Sequence, residues 1–445
     1  MVNVSPVILM PGNSDFNDGL KSYLTNHHPD SFYFPQTDAK FFPSQEAFAK
    51  PLENVRFAKV QLVSHGGISY PQEVLEHIDA AHNLQNPDAI IKADAIEKIF
   101  TLTGIEATGR TNPEKLIQLI CRAHSVSPND SFIQSLVMID ALQRAGMSDL
   151  IYVSPFLPYG RQDRKASARD PITARLVADL IDKSASHKLR GIITSDMHVP
   201  QEQGFYSVPV DDLPTTLAFA ADIKATMHRA GLTSDDIIIF STDLGGSKRA
   251  QAIAKELNCL IGTFDKRRVD IFQQEAVTEI LVPFSTIDLN DPKAQDPFKG
   301  KVCFFVDDMV DSGSSLITAA QVLRENFSPR YVGFYGTHGV LTPKAVEKLQ
   351  DPAIDSFVFT NTIQIPPYMK LLVDSDRISN LDVTPWYGEV MYRSSLPYNP
   401  NNGAEEHNSV ASINDLHHVT EILNRGRSTL GRVHRNNLDK LAPGG

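Results

Sequence analysis

Short apolar segments alternate with amphipathic stretches along most of the chain. The apolar segments are rich in β-branched and aromatic residues, as buried parallel strands are. Predicted strands cover residues 150–153, 190–194, 236–240, 260–264 and 302–306, and predicted helices cover residues 172–181, 247–257 and 316–323. Strands that alternate with helices in this way favour βαβ units, so the pattern predicts an α/β fold with parallel sheets.

Two regions depart from this alternation. Residues 74–128 are mostly helical in pattern and hold no convincing catalytic cluster. Residues 399–445 begin rich in Asn and Gly, hold an amphipathic stretch near 416–423 and end basic. The first region is predicted to be a helical insertion, and the second a C-terminal extension or a partly ordered tail.

Composition narrows the class of protein. A chain of 445 residues is long enough for two or three domains. The formal net charge of −11 argues against a general nucleic-acid binder, which would show a basic field. The three cysteines lack metal-ligand spacing, which favours reduced thiols and a cytoplasmic location. Neither a signal peptide nor an apolar run of membrane-spanning length is visible, so no membrane partner is expected.

The segment 302–315 carries the strongest chemical signal. An apolar strand is predicted to end at Asp307 and Asp308, and Asp311 opens a loop of small residues, Ser312, Gly313, Ser314 and Ser315, before a helix. Ligands of open α/β sheets bind at the carboxyl ends of strands, and a helix N-terminus attracts phosphate. The segment is interpreted as a ribose-phosphate pocket, although a helix cap and turn would use the same residues. A P-loop is excluded, because the chain has no Gly-x-x-x-x-Gly-Lys-Ser/Thr pattern.

Polar clusters follow four other predicted strands. An Arg with a neighbouring Gln can bind a nucleotide phosphate, an Asp and a His two positions apart can reach a divalent ion, and Lys and Arg can stabilise charge on phosphate oxygens. Each cluster could also be a solvated loop, a cap or a strand-to-helix turn. In chain order the residues are Arg161 and Gln162, then Asp196 and His198, then Asp243, and finally Lys266 and Arg268 in a basic loop.

These motifs resemble those of a known family. The segment 307–315 is similar to the phosphoribosyl-diphosphate motif of type I phosphoribosyltransferases and of ribose-phosphate pyrophosphokinases (PRPP synthetases). Segments 158–174, 194–211, 241–250 and 264–270 resemble the PRPP synthetases in the order of that family. The resemblance covers most of residues 36–70 and nearly all of 129–366. The chain departs from the family pattern at Ser44, Gln45, Met197, Val199, Pro200, Ser207 and Thr242.

The resemblance implies two phosphoribosyltransferase-like domains with the active site between them. By that likeness ATP contacts Arg161, Gln162 and His198, and Phe42 and Glu46 belong to the adenine site of a neighbouring subunit in a homo-oligomer. Mg²⁺ would be held by His198 and Asp243 together with Asp196, and Lys266 and Arg268 would be catalytic. Ribose 5-phosphate would be bound by Asp243, Asp307, Asp308, Asp311, Ser312, Gly313, Ser314 and Ser315.

The predicted domains are residues 1–215, which contain the insertion, and residues 216–375. A segment at 376–398 is expected to return to the first domain, and 399–445 form the extension. The leading hypothesis is diphosphoryl transfer from ATP to the 1-hydroxyl of ribose 5-phosphate, which gives PRPP and AMP. A non-catalytic regulatory subunit of the same fold is the second hypothesis, and a phosphoribosyltransferase the third.

Overall fold

The structure is a computed structural model, and it describes the regions that hold all five predicted strands. The described residues are 7–9, 14–28, 129, 132–133, 135–136, 139–140, 150–242, 245–267, 276–282, 285–288, 296–395, 416–425 and 441–442. The predicted insertion at 74–128 lies outside them. The chain divides into two compact units, residues 1–9, 15–32 and 139–445 in one and residues 10–14 and 33–138 in the other. Both sheets belong to the first unit.

The first sheet has four parallel strands in the order β1-β2-β3-β4. Its β2 is buried throughout, because helices pack on the sheet and leave no strand face for water. The strands are β1 (Val7–Leu9), β2 (Leu150–Val153), β3 (Leu189–Ser195) and β4 (Val210–Leu213), and the helices that follow β1 and β2 are α1 (Ser14–His27) and α2 (Thr173–Ala185).

The second sheet has eight strands in the order β12-β11-β10-β9-β5-β6-β7-β8. The six strands from β12 to β6 are parallel, whereas β7 and β8 add an antiparallel hairpin that the sequence pattern did not predict. The predicted α/β fold with parallel sheets is confirmed. The strands are β5 (Ile237–Ser241), β6 (Leu260–Arg267), β7 (Ala276–Val282), β8 (Ser285–Asp288), β9 (Val302–Val310), β10 (Tyr331–Gly339), β11 (Ser356–Thr360) and β12 (Ile378–Leu381).

Helices cover the second sheet and connect its strands. A core of aromatic and aliphatic side chains lies between these helices and the sheet, with the rings of Phe240, Phe264 and Phe305 in mutual contact. The helices after α2 are, in chain order, α3 (Thr216–Ala230), α4 (Ser247–Leu257), α5 (Ser314–Asn326), the short α6 (Ala345–Lys348) and α7 (Lys370–Asp374), α8 (Thr384–Ser395) and α9 (Leu416–Arg425). Of these, α8 and α9 follow the last strand and connect no strands. No helix among the described residues is both long and apolar enough to span a membrane.

Two strands extend further than the sequence pattern predicts. The prediction that β9 ends at the paired carboxylates is wrong, because the strand continues through Asp307 and Asp308 to Val310. The neighbouring β10 is equally long, and pairs His338 with Met309 and Gly339 with Val310. Similarly, β6 continues beyond residue 264 to Arg267, so Lys266 lies in a strand paired with β7 and not in a loop. Hydrogen bonds from the neighbouring strand extend β9 and β6, and the local sequence does not show how long that neighbour is.

The chain crosses from the second sheet to the first after β12. β12 pairs with β11, but α8 packs against α1 and the end of β3. The hydroxyl oxygens of Tyr387 and Ser195 lie 2.5 Å apart, and the Tyr387 ring meets Phe16 edge-on with centroids 4.9 Å apart. Within the predicted segment 376–398, therefore, β12 belongs to the second sheet and α8 lies on the first.

Part of the predicted C-terminal extension packs on this body. Helix α9 contains the predicted amphipathic stretch and buries Val419, Ile422 and Leu423. It lies against α3 and α8. The three buried residues recur at helical spacing, so one face of α9 is apolar and covered. The remainder of residues 399–445, apart from Leu441 and Ala442, lies outside the described residues.

The contact between α1 and α8 predicts the effect of one substitution. A Cβ at Gly388 would lie 2.3 Å from Cδ1 of the buried Tyr23. Gly388→Ala should therefore lower the free energy of unfolding by about 1–3 kcal/mol through overpacking. Helix propensity acts in the opposite direction, since Ala is favoured over Gly in a helix by about 0.5–1 kcal/mol. The measurement is chemical denaturation of the wild-type and variant chains.

The matched control is the same substitution in a Tyr23→Ala background. Removing the ring leaves room for the new methyl group, so Gly388→Ala should cost less there, or should stabilise the chain. A stabilising effect of Gly388→Ala in the wild-type background would contradict the close packing of α8 on α1.

Candidate active site between the two sheets

The end of β3 turns sharply into the site. Asp196 follows the last residue of β3 and has φ of 41°, a left-handed conformation that is uncommon for a residue other than Gly. Its carboxylate is buried and accepts hydrogen bonds from the hydroxyl of Thr215 at 2.5 Å and from the hydroxyl of Thr337. Thr337 lies on β10, so this carboxylate joins the end of the first sheet to the second.

A second link between the sheets runs through a buried histidine. Nε2 of His338 on β10 donates to the carbonyl of Ser195 at 3.0 Å, and Nδ1 lies 2.9 Å from the hydroxyl of Thr362. Burial lowers the pKa of His338. The imidazole is therefore neutral near pH 7 and acts as a hydrogen-bonding bridge between β10 and β3.

The two carboxylates of β9 face different partners. Oδ2 of Asp308 lies 2.8 Å from Nδ1 of His198, which follows β3. Oδ2 of Asp307 accepts from the hydroxyl of Thr242 at 2.9 Å, and its Oδ1 accepts from the backbone N–H of Asp308 at 2.9 Å. Both oxygens of Asp307 are thus fixed in direction by groups of its own sheet.

These contacts shift the pKa values of Asp307 and Asp308 in opposite directions. Burial and the adjacent Asp308 raise the pKa of Asp307. Burial alone would also raise the pKa of Asp308, but the hydrogen bond from His198 and the charge of Arg249 hold it below its ordinary value. The same hydrogen bond raises the pKa of His198. Asp308 and His198 therefore form a charge-assisted pair beside Asp307.

The loop of small residues after β9 turns at Gly313 and leads into α5. Gly313 has φ of 76° and is buried, and α5 begins at Ser314. The hydroxyls of Ser312 and Ser314 lie 3.2 Å apart, while the side chains of Ser314 and Ser315 are exposed. The first N–H groups of a helix have no partner within it, so this exposed turn can bind an anion.

The loop after β2 lies beside the loop after β9. Nη1 of Arg161 donates to Oδ2 of Asp311 at 3.2 Å, and both side chains remain open to solvent. A cleft of about 250 Å³ lies between these loops, next to Gln162. It is lined by Phe156, Tyr159, Gly160, Arg161, Gln162, Thr173, Met309, Asp311 and Val340. The structure thus brings Arg161 and Gln162 to the edge that holds Asp307, Asp308 and Asp311.

Some predicted site residues fall outside the described part of the chain. Asp243, Arg268, Phe42 and Glu46 are among them. Lys266 is described through its backbone alone, on β6 opposite Val277. Since β6 is the second strand from β9, with β5 between them, Lys266 belongs to the same sheet as Asp307.

The predicted metal ligands differ in how well they fit a divalent cation. No group of three or more His, Cys, Asp or Glu side chains able to hold a metal ion occurs among the described residues. His198 points Nδ1 at Asp308, which leaves Nε2 as its ligand nitrogen, and a carboxylate behind a ligating His is a common arrangement. Asp196, by contrast, directs one oxygen at the hydroxyls of Thr215 and Thr337. His198 fits a metal site better than Asp196 does.

Sequence reasoning missed four residues of this site: Thr215, Thr337, His338 and Arg249. Arg249 lies 3.9 Å from Asp307 and 4.0 Å from Asp196. A signal for it exists, since Arg249 is at helical spacing from Ile253 and Leu257 on the buried face of α4. A charged residue on the apolar face of a helix is buried, and a buried charge is almost always paired with another group. No local pattern marks the two threonines or His338, because their partners are distant in sequence.

Buried Glu202 lies behind the Arg161 loop. It belongs to a 3₁₀ helix at Pro200–Phe205, and its Oε1 accepts from the backbone N–H of Val199 at 3.3 Å. A Cβ at Gly160 would lie 3.1 Å from Oε2, so the loop packs directly on this carboxyl group. Burial raises the pKa of Glu202 to about 7.

Together these elements define a class of enzyme. Two parallel α/β layers meet at the carboxyl ends of their strands, and paired carboxylates lead into an anion-binding helix start, as in a phosphoribosyltransferase-like transferase. Two family descriptions match the chain: the N-terminal domain of ribose phosphate pyrophosphokinase over residues 113–184, and the phosphoribosyl synthetase-associated domain over residues 291–395.

Two relatives agree in sequence with these family matches. A ribose-phosphate pyrophosphokinase of Clostridium acetobutylicum is 35% identical over 339 residues, which are 75% of this chain and 96% of the relative. One from Caldanaerobacter subterraneus is 35% identical over 60% of this chain and 75% of the relative. The crystal structure of phosphoribosylpyrophosphate synthetase from Mycobacterium smegmatis is 29% identical, with a TM-score of 0.49 over 60% of this chain and 78% of that chain. The chain belongs to the ribose-phosphate pyrophosphokinase family, a family of diphosphate-transferring enzymes.

The buried carboxyl group of Glu202 predicts a pH-dependent stability. Between its ordinary pKa of 4.5 and about 7, the folded state keeps a proton that the unfolded state releases. The stability of the wild-type chain therefore falls as pH rises through this window, and the loss persists above it. Glu202→Gln removes the titration. The Tm of this variant relative to wild type should be higher at pH 8 than at pH 5, by about 2–4 °C or more.

The control is Glu256→Gln on the exposed side of α4. It removes one carboxylate without a change in burial, so its Tm difference from wild type should vary little between the two pH values. An equal Tm difference for Glu202→Gln at pH 5 and pH 8 would contradict a raised pKa at this position.

Proposed function

We propose that the chain transfers a diphosphoryl group from ATP to the 1-hydroxyl of ribose 5-phosphate, with PRPP and AMP as products. The observation that carries this proposal is the contact between the two loop sets. Arg161 reaches Asp311 at 3.2 Å and His198 reaches Asp308 at 2.8 Å. A nucleotide held by the first sheet would thus lie against a sugar phosphate held by the second.

The acceptor would be fixed by the second sheet. Asp307 and Asp308 would accept hydrogen bonds from ribose hydroxyls, with Asp311 beside them. The turn from Ser312 to Ser315 would bind the 5-phosphate through its N–H groups and hydroxyls. The direction of Asp307 is already set by Thr242 and by the N–H of Asp308, so little reorganisation is needed when the sugar enters.

ATP would be held by the first sheet. The guanidinium of Arg161 and the amide of Gln162 line the cleft and can bind phosphate and base or ribose polar groups. Mg²⁺, when bound, would neutralise charge on the triphosphate, and His198 with Asp243 would hold it, in part through water. The predicted assembly into a homo-oligomer with Phe42 and Glu46 at a neighbour's adenine site, and the cytoplasmic location, stay predictions.

The transfer itself needs positioning and charge stabilisation more than covalent help. Lys266 and Arg268 are proposed to stabilise the negative charge that develops on the phosphate oxygens as the acceptor oxygen attacks the β-phosphorus. The 1-hydroxyl loses its proton to water as its oxygen forms a bond to the β-phosphorus, and the bond between the α–β bridging oxygen and the β-phosphorus breaks, which releases AMP with that oxygen.

The test is product analysis by mass spectrometry after incubation of the purified chain with ribose 5-phosphate, ATP and Mg²⁺. We expect PRPP and AMP in equal amounts. Lys266→Ala should lower kcat by about 100-fold or more, as loss of one transition-state donor does. The control is Lys299→Ala, which removes an exposed lysine before β9 and should leave kcat unchanged.

Three outcomes would overturn the proposal in different ways. Formation of ADP without PRPP would indicate a different phosphoryl transfer. Consumption of PRPP with a nucleobase would indicate a phosphoribosyltransferase. A chain that binds ATP but forms no product under varied Mg²⁺ and phosphate concentrations would indicate a regulatory subunit.

A further inference from the structure

Arg249 lies between the two sheets at the centre of the site. It is the third residue of α4, the helix that follows β5, and its side chain is 17% exposed. Its Nε is 4.0 Å from Oδ2 of Asp196, and its Nη1 is 3.9 Å from Oδ1 of Asp307. One guanidinium thus faces a carboxylate from the end of β3 and another from β9.

The two separations define the kind of interaction. They exceed the distance of an N–H···O hydrogen bond, so Arg249 acts as a charge shared between two carboxylates and not as a fixed donor to either. Charges at this separation still interact strongly where water is largely excluded. Among the residues whose side chains are described, Arg249 is the one cation within 4.0 Å of either Asp196 or Asp307.

The surroundings of Arg249 are strongly acidic. Burial alone would lower its pKa, but the carboxylates of Asp196, Asp308, Asp307 and Asp212 raise it. His198 is paired with Asp308, which leaves Arg249 as the charge that faces Asp307. Without it, the neighbouring carboxylates of β9 would repel one another, with no other cation beside Asp307 among the described side chains.

We propose that Arg249 is a positioning residue for the sugar-phosphate acceptor, and that it acts through Asp307. Its charge offsets the repulsion between the carboxylates that face the ribose hydroxyls, while its second contact holds the Asp196 turn against the same pocket. This inference rests on the proposed function, in which Asp307 binds ribose. None of the contacts of Arg249 reaches Arg161 or Gln162, so ATP binding should depend on it much less.

The experiment compares three variants of the full chain. Arg249→Gln removes the charge, Arg249→Lys keeps a charge on a different head group, and Lys248→Gln removes the adjacent charge from an exposed position. We expect Arg249→Gln to raise KM for ribose 5-phosphate about tenfold or more, with a change of less than about threefold in KM for ATP. Arg249→Lys should restore most of the loss, and Lys248→Gln should behave as wild type.

A direct binding measurement separates this inference from the proposed function. Calorimetric titration with ribose 5-phosphate alone, without ATP or Mg²⁺, should show weaker binding to Arg249→Gln by a similar factor. If the wild-type chain forms no PRPP but binds ribose 5-phosphate more tightly than Arg249→Gln does, the proposed reaction fails while the role of Arg249 stands.

Several results would overturn the role of Arg249. One is an equal rise in KM for both substrates, which would indicate a general loss of site structure. Others are an Arg249→Gln variant that matches Lys248→Gln, and an Arg249→Lys variant as defective as Arg249→Gln. Thermal unfolding of each variant shows whether it is folded. If Arg249→Gln is not folded, the comparison of Arg249→Lys with wild type tests the role of Arg249.

Discussion

The burial of the Asp196 carboxylate is the constraint on which the site depends. A carboxylate removed from water must find hydrogen-bond donors or a counter-charge, since an unsatisfied one costs several kcal/mol. Asp196 finds them in Thr215, Thr337 and Arg249, which come from three separate elements. All three are in reach only when the end of β3 meets β10 and α4. The Asp196 carboxylate therefore has all of these partners only when the two α/β layers pack together.

The contact between the two sheets also links the two predicted substrate pockets. Two pairs of predicted substrate-binding residues join the sheets, Arg161 with Asp311 and His198 with Asp308. Contacts of this kind make the two pockets depend on each other. For the proposed transfer, the folded chain would supply much of the alignment between the two substrates, which would lower the entropic cost of bringing them together.

Much of the fold could be predicted because buried parallel strands are apolar on both faces, as in residues 302–306 and 237–241. The continuation of β9 through Asp307 and Asp308 could not, since it depends on the length of β10, and neither could the extension of β6 beside β7. The charged residues at strand ends were visible as motifs. Arg249 carries a signal only through its place on the apolar face of α4, and the threonines around Asp196 carry none, because their roles arise from partners on other elements.

The return of α8 to the first sheet has a consequence for synthesis of the chain. Tyr387 touches Ser195 and Phe16, so the first layer lacks part of its core until almost 200 further residues have been translated after β3. At about 5–20 residues per second this interval is roughly 10–40 s. During that time the uncovered surface of α1 and β3 is available to chaperones or to unwanted contacts, so ribosome pace and chaperone supply bear directly on the yield of native protein.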